Sequence, residues 1–155
     1  MTVLTLEPLA TSLANSLANS LTLNAPDALA QLNAAFDAYE DALVHNKVSM
    51  LDELFWTHPL TLRFGAKENL FGADQIKAFR ASRPSVGLSR EIIDRHIVTF
   101  GDTMGVANIT FKRPSEQRIG RQSQTWVKFD EGWHEGLMGW AGEIHQSCST
   151  GLRHE

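Results

Sequence analysis

Tyr39 is the residue of this 155-residue chain whose type and spacing point most directly to chemistry. It is the only tyrosine, and it shares one stripe with Leu32, Phe36 and Leu43, at the alternating three- and four-residue spacing of a helix face. A tyrosine on a buried stripe needs a hydrogen-bond partner for its hydroxyl, and the same hydroxyl can serve as a catalytic acid. The spacing alone favours a core tyrosine bonded to a backbone carbonyl over a catalytic one.

Arg63 is the second candidate, because it lies in the middle of a short stretch, 60–64, that alternates like a strand. The apolar residues take one face of that strand, and Thr61 and Arg63 take the other. If the second face meets solvent, an arginine there is unremarkable. If the sheet curls so that this face lines a cavity, the guanidinium becomes a fork for a carboxylate, since a buried guanidinium without an anionic partner is costly. The pattern does not decide between these two interpretations.

A third set of candidates lies in the strand predicted over 118–129. Gln122, Ser123 and Gln124 are polar residues between the apolar ends of this strand. They are candidate substrate contacts if one strand face lines a pocket, and only one of the two faces can point inward. A solvated face is the commoner explanation for such a run.

The elements that must position these residues follow from the hydrophobic periodicity. They are, in chain order, a helix capped by Asn24 and ending near His45, a short helix capped by Ser49, a strand over 60–64, a turn over 69–72, a helix over 73–82, and strands over 90–100, 104–112 and 118–129. Helices segregated from an antiparallel meander predict an α+β domain.

The two ends of the chain do not follow this pattern, so we place the domain at 25–134. Residues 1–24 hold leucines four apart within a Ser-Leu-Ala-Asn repeat, and predict an N-terminal extension that is either disordered or a loosely docked helix. Residues 135–155 form an atypical tail with four glycines and no alternating pattern.

Composition and motifs exclude several functions. The net charge of −4 gives no basic surface for nucleic acid. Cys148 is the only cysteine, and the six histidines lack metal-ligand spacing, so we expect no disulfide and no metal. The chain has no glycine-rich phosphate loop, and we expect no cofactor. No apolar run approaches the roughly 18 residues of a membrane span, which predicts a cytoplasmic protein without membrane contact.

Several blocks in one order resemble a known family. They are Phe55-Trp56, Arg63-Phe64-Gly65, Glu68-Asn69-Leu70-Phe71-Gly72, Ala78-Phe79-Arg80, Arg83-Pro84 and the run 120–126. Over residues 28–134 the chain resembles the small SnoaL-like family that contains the oxalurate-catabolism protein HpxZ and the cyanuric-acid-pathway protein AtzH, within the nuclear transport factor 2-like superfamily. The resemblance implies a cystatin-like α+β barrel, in which a strongly curved antiparallel sheet holds helices in its concave face. It also implies a homodimer formed through the sheet.

The same resemblance implies a function. AtzH-like members are amidohydrolases of nitrogen-compound catabolism that convert 1,3-dicarboxyurea to allophanate, and their functional pair matches Tyr39 and Arg63. The implied partner is therefore a small anionic substrate. A non-catalytic alternative is a dimer that binds a small acid or assists a partner amidase in oxalurate or ureide catabolism. Family members usually end in an apolar strand that the tail of this chain does not predict, and its loss would expose a sheet edge beside the pocket.

Overall fold

The computed structural model describes residues 22–129 and 143–146, and within them the chain forms three helices and a six-stranded sheet. The helices are α1 (Pro26–Val44), α2 (Val48–Leu54) and α3 (Ala73–Ser82). The strands are β1 (Leu62–Phe64), β2 (Asn69–Phe71), β3 (Glu91–Phe100), β4 (Met104–Lys112), β5 (Ile119–Val127) and β6 (Glu143–Gln146). The predictions for residues 1–21, 130–142 and 147–155, including the end of the predicted domain and Cys148, lie outside the described residues.

Helix α1 begins at Pro26, where a missing backbone N–H is harmless and the fixed φ suits the first turn. The predicted cap at Asn24 is wrong, because Ala25 is the N-cap and makes no side-chain capping bond. Asn24 has a φ of 53°, and its Oδ1 accepts a hydrogen bond of 3.0 Å from the backbone N of Thr99. Its own backbone N donates to the Thr99 carbonyl at 3.0 Å, so the end of the predicted extension is bound to β3.

Helix α2 also begins without the predicted cap. Its N-cap is Lys47 instead of Ser49, and this residue makes no side-chain capping bond.

The sheet has the order β2-β1-β6-β5-β4-β3. Long antiparallel pairs join β3 to β4 and β4 to β5, as predicted. The predicted turn over 69–72 is wrong, since β2 lies there and pairs with β1 in a short antiparallel hairpin. Strand β6 lies in the tail, where the sequence indicates no strand, and it pairs parallel to β1 and antiparallel to β5.

Strand β1 begins later than predicted. Thr61 is buried and Leu60 is exposed, which reverses the predicted faces at these two positions. The reason is a turn, in which the Thr61 backbone N donates to the His58 carbonyl at 3.1 Å and the Thr61 hydroxyl donates to the Trp56 carbonyl at 2.6 Å. Strand β1 therefore starts at Leu62, and its three residues are all partly buried.

The core forms where α1 packs on one face of the long strands. Alternate residues of β4, such as Ala107 and Ile109, are buried against the helix, and Trp126 of β5 is fully buried. The buried stripe of α1 contributes Leu32 and Phe36 to this cluster. These contacts explain the α+β architecture, because the helix covers the apolar side of a sheet whose other side is polar. Within the described residues, no helix is long and apolar enough to cross a membrane.

Candidate functional site

Tyr39 lies on the buried stripe of α1, as its spacing predicts, and its side chain is 3% exposed. The ring packs among three aromatic rings, those of Phe36, Phe55 and Trp126, with centroid distances of 6.5, 6.3 and 6.2 Å. The Nε2 of Gln122 donates to the Tyr39 hydroxyl oxygen at 3.2 Å. The hydroxyl is therefore bonded to a side chain of the sheet, which fixes the phenol at one position inside the fold.

The three predicted substrate contacts lie on two different faces of strand β5. Gln122 and Gln124 are buried on the face that meets α1, at 3% and 0% exposure. The Oε1 of Gln124 accepts a hydrogen bond of 3.1 Å from the Trp126 indole N–H, while its Nε2 has no hydrogen-bond partner. Ser123 is less buried than its two neighbours and lies on the opposite face, because side chains alternate along a strand. The structure therefore brings Gln122 to Tyr39 and does not bring Ser123 there.

The opposite face carries a polar groove of about 400 Å³. Its lining includes Asp94, His96, Asn108, Thr110, Arg121 and Ser123. The Thr110 hydroxyl donates to Asp94 at 2.6 Å within this groove. Ser123 belongs to this outer surface and not to the surroundings of Tyr39.

Arg63 is mostly buried, and it already has an anionic partner. Its Nη1 donates to Glu68 Oε1 at 2.5 Å, with the two side chains 14% and 24% exposed. The guanidinium carbon also lies 4.9 Å from the centre of the Phe79 ring. Gly65 leaves the room that this pair needs, since a β-carbon there would lie 1.8 Å from the same Glu68 oxygen. The sequence contains Glu68 five residues after Arg63, but periodicity does not show that the β1–β2 loop brings them together.

Other arginines near the aromatic cluster are paired in the same way. The Nη1 of Arg80 donates to Asp52 at 2.9 Å, and the Arg80 guanidinium carbon lies 3.8 Å from the centre of the Phe55 ring. Arg90 makes a two-point contact with the carboxylate of Glu40. Each of these positive charges is compensated by a carboxylate of the chain itself.

Arg83 differs from these arginines. Its Nε is buried and has no hydrogen-bond partner, and its Nη2 lies 3.4 Å from the neutral Oδ1 of Asn46. Burial lowers the pKa of the Arg83 guanidinium, and the nearby charges of Arg63 and Arg80 lower it further. On the sequence alone, Arg83 has no functional role and belongs only to one of the blocks that resemble the family. The signal that identifies it is a guanidinium without a carboxylate, which only the tertiary contacts reveal.

Arg113, the residue after β4, is another partly buried arginine for which the structure shows no salt bridge to a carboxylate of the described residues. Its Nη1 donates to the Gly87 carbonyl at 2.8 Å. Burial lowers the pKa of Arg113, and Arg90 lowers it further. Tyr39 lies close enough to Arg83 and Arg113 to affect the pKa of both electrostatically. The phenol therefore lies in a positive local field, which suits an anionic ligand or a developing negative charge.

No group of three histidine, cysteine, aspartate or glutamate side chains among the described residues could hold a metal ion. The chemistry available near Tyr39 is hydrogen bonding, proton donation and charge stabilisation by guanidiniums.

Comparisons with known proteins place this chain in a family. The AtzH-like family model matches residues 21–135. A crystal structure of a protein of unknown function from Pectobacterium atrosepticum is 46% identical, with a TM-score of 0.72, over 82% of this chain and 95% of that chain. A cystatin-like fold protein from Burkholderia xenovorans is 33% identical, with a TM-score of 0.71, over 80% and 92% of the two chains.

A more distant structure bears on the fold alone. A nuclear transport factor 2-like superfamily protein from Salmonella enterica is 18% identical, with a TM-score of 0.58, over 81% of this chain and 95% of that chain. No curated protein matches the chain. The predicted cystatin-like α+β fold is confirmed by these neighbours, and the predicted family is confirmed by the AtzH-like match. The chain belongs to the AtzH-like family.

Proposed function

We propose that this chain is an amidohydrolase that removes one carboxyl group from a small carboxylated urea, as in the conversion of 1,3-dicarboxyurea to allophanate. The observation that carries the proposal is the Tyr39 hydroxyl, buried and held by the Gln122 amide at 3.2 Å in a field of guanidiniums. A phenol in that setting combines an acid with charges that stabilise its conjugate base.

Arg63 binds and orients the substrate in this proposal. One of its amino groups donates to Glu68 at 2.5 Å, and a guanidinium has five N–H donors in a planar fork. Glu68 therefore holds the group in place, while the other edge of the fork offers donors to a substrate carboxylate. The pairing with Glu68 also explains how the chain tolerates a mostly buried arginine before substrate arrives.

Tyr39 supplies the proton. The bond between the terminal carboxyl carbon and the urea nitrogen breaks, its electron pair stays on the nitrogen, and the carboxyl carbon leaves as carbon dioxide. The Tyr39 O–H donates its proton to that nitrogen, and the solvent then returns a proton to the phenolate, so that one proton is consumed for each carbon dioxide released. The negative charge that develops on Tyr39 lies near Arg83 and Arg113, which favours the transfer. No nucleophilic side chain is needed for this step.

The two inward glutamines have different roles. Gln122 positions the phenol through the bond from its Nε2 to the hydroxyl oxygen. Gln124 has an unpaired Nε2 on the same strand face, and it is our candidate for a hydrogen bond to the substrate carbonyl. We leave Ser123 out of the proposed site, because it faces the outer groove.

The experiment compares purified wild-type protein with Tyr39→Phe, measuring carbon dioxide and allophanate release from 1,3-dicarboxyurea and oxalate release from oxalurate. We expect wild-type turnover of 1,3-dicarboxyurea and a loss of about 10²- to 10⁴-fold in kcat for Tyr39→Phe, the range for a general acid. Thr99→Val is a matched control, because it removes another buried hydroxyl, on β3, that has no hydrogen-bond partner. Equal activity of wild type and Tyr39→Phe, or no turnover of either substrate, would rule out the proposal.

Binding without turnover would support the alternative, a small-acid-binding or amidase-accessory protein. Calorimetry with the same compounds separates the two functions, because only the enzyme produces carbon dioxide. The homodimer and the partner amidase stay predictions, and sedimentation equilibrium of the purified chain tests the dimer.

A further inference from the structure

One buried arginine nitrogen near Tyr39, the Nε of Arg83, has no hydrogen-bond partner. Four arginines of the described residues have a carboxylate of the chain as partner. The pairs are Arg63 with Glu68, Arg80 with Asp52, Arg90 with Glu40 and Arg95 with Asp37. Arg83 has no such partner, although its Nε is buried.

Resting on the proposed function, we infer that the Arg83 guanidinium binds a second carboxylate of the same substrate, so that the site selects small dicarboxylates over monocarboxylates. Arg63 holds one end of the ligand and Arg83 holds the other. The positive charge of Arg63 lowers the pKa of Arg83, and a dicarboxylate bound by both guanidiniums offsets this repulsion.

The backbone holds Arg83 in place for this role. Its backbone N donates to the Phe79 carbonyl at 3.0 Å at the end of α3. Its φ of −73° and ψ of 148° are those of an extended residue before a proline, here Pro84. The side chain reaches Asn46, just beyond the end of α1. Arg83 is therefore anchored by two helix ends and not by a mobile loop.

The contact with Asn46 orients the guanidinium without neutralising it. An amide oxygen at 3.4 Å is a weak, uncharged acceptor, whereas an aspartate at the same position would be a full partner. A buried guanidinium nitrogen without an acceptor is costly, so the site favours a ligand that brings its own carboxylate.

The test uses two stable probes that differ in one charged group. Glutarate has two carboxylates separated by three atoms, like 1,3-dicarboxyurea, and glutaramate replaces one carboxylate by an uncharged amide of nearly the same shape. Titration calorimetry measures the Kd of both probes for the wild-type chain and its variants. We expect wild type to bind glutarate more tightly than glutaramate, by about 10- to 100-fold, the usual difference for one charged hydrogen-bonding partner.

Arg83→Gln is expected to raise the glutarate Kd by a similar factor and to change the glutaramate Kd by less than about threefold, so that the selectivity disappears. Arg121→Gln is the matched control, because it removes the same charge from the outer groove, and it should keep the wild-type ratio. Asn46→Asp is the second variant. It supplies the missing carboxylate to Arg83 while conserving shape, so it should also abolish the preference for glutarate even if Arg83→Gln folds poorly.

A wild-type chain that binds both probes equally, or an Asn46→Asp variant that keeps the glutarate preference, would overturn the inference. Neither probe is a urea, so their binding is measured whether or not the chain turns over 1,3-dicarboxyurea. Loss of selectivity without turnover would leave the inference standing and remove the proposed function. Turnover together with unchanged selectivity in both variants would support the proposed function and overturn the inference about Arg83.

Discussion

Gly65→Ala should act on the stability of the domain through the Arg63–Glu68 pair alone. A β-carbon at position 65 would lie 1.8 Å from Glu68 Oε1 and 2.2 Å from the Glu68 carboxyl carbon, so the Glu68 side chain must leave its position. The backbone at Gly65 is not in the left-handed region that favours glycine, and alanine is therefore compatible with it. The substitution therefore breaks the ion pair while both of its residues, Arg63 and Glu68, stay in the sequence.

The magnitude follows from the burial of the pair. The side chains of Arg63 and Glu68 are 14% and 24% exposed, so the pair is more buried than a surface pair and less buried than a core pair. A surface pair contributes about 0–1 kcal/mol to stability. Breaking a fully buried pair costs about 3–5 kcal/mol. We therefore assign a loss of about 1–3 kcal/mol to the broken pair. Alanine also reduces the entropy of the unfolded chain, which stabilises the fold by about 0.4–1 kcal/mol. The expected net destabilisation is about 1–2 kcal/mol.

The assay is urea denaturation of four proteins: wild type, Gly65→Ala, Glu68→Ala and the double variant. In the Glu68→Ala background the clash no longer exists, so Gly65→Ala should be neutral or stabilising there by about 0.4–1 kcal/mol. The sign of its effect should thus reverse between the two backgrounds. If Gly65→Ala costs the same in both backgrounds, within about 0.5 kcal/mol, Gly65 does not act by making room for Glu68.

Two further predictions concern ion pairs. Arg80→Met should destabilise the domain by about 3 kcal/mol in urea denaturation, because it leaves Asp52 without its buried partner, whereas the exposed Arg121→Met should stay within about 0.5 kcal/mol of wild type. A loss for Arg80→Met no larger than for Arg121→Met would show that the buried pair contributes no net stability. Lys47→Met should raise the pKa of Asp41, which is lowered chiefly by the hydrogen bond from Lys47, and NMR titration of the Asp41 carboxyl measures it. A carboxyl with a lowered pKa stabilises the fold at neutral pH, and this contribution disappears as the pH falls through its folded-state pKa. An unchanged Asp41 pKa in Lys47→Met would contradict that cause.

The long elements could be predicted because their periodicity extends over many residues. Helix α1 and strands β3, β4 and β5 end within about two residues of the predicted bounds, since 9 to 19 residues hold enough turns or alternations to define a period. Strands β1 and β2 have three residues each, and three residues cannot show a period. Their pairing depends on a loop, and the sequence of β2 is typical of a turn.

The caps were misassigned for a related reason. Asn24 has a side chain that suits helix capping, but it binds the backbone of Thr99 instead, 75 residues away. A capping rule considers only local partners, so it cannot anticipate a distant strand that satisfies the same oxygen.

In the candidate site, too, sequence spacing predicts the features that depend on neighbouring residues and misses those that depend on tertiary contacts. Spacing put Tyr39 on a buried stripe, and the structure places it there. Spacing also separated Ser123 from its neighbours Gln122 and Gln124, but alternation defines two faces without telling which one is inward. Two contacts of the candidate site join different elements. Arg63 of β1 contacts Glu68 in the β1–β2 loop, and Arg83 after α3 contacts Asn46 after α1. Glu68 and Arg83 were missed because each depends on such a contact.

The local charge around Tyr39 is opposite in sign to the charge of the whole chain. The net charge is −4, which by itself gives no reason to expect an anion-binding protein. The carboxylates that lower the net charge are used where they neutralise particular arginines, at Glu68, Asp52 and Glu40. Arg83 instead donates to the neutral amide oxygen of Asn46, so its positive charge is not neutralised. The protein interior screens that charge poorly. In the proposed function, the position of the arginine that lacks a carboxylate partner determines the affinity for an anion, and the number of cations in the chain does not.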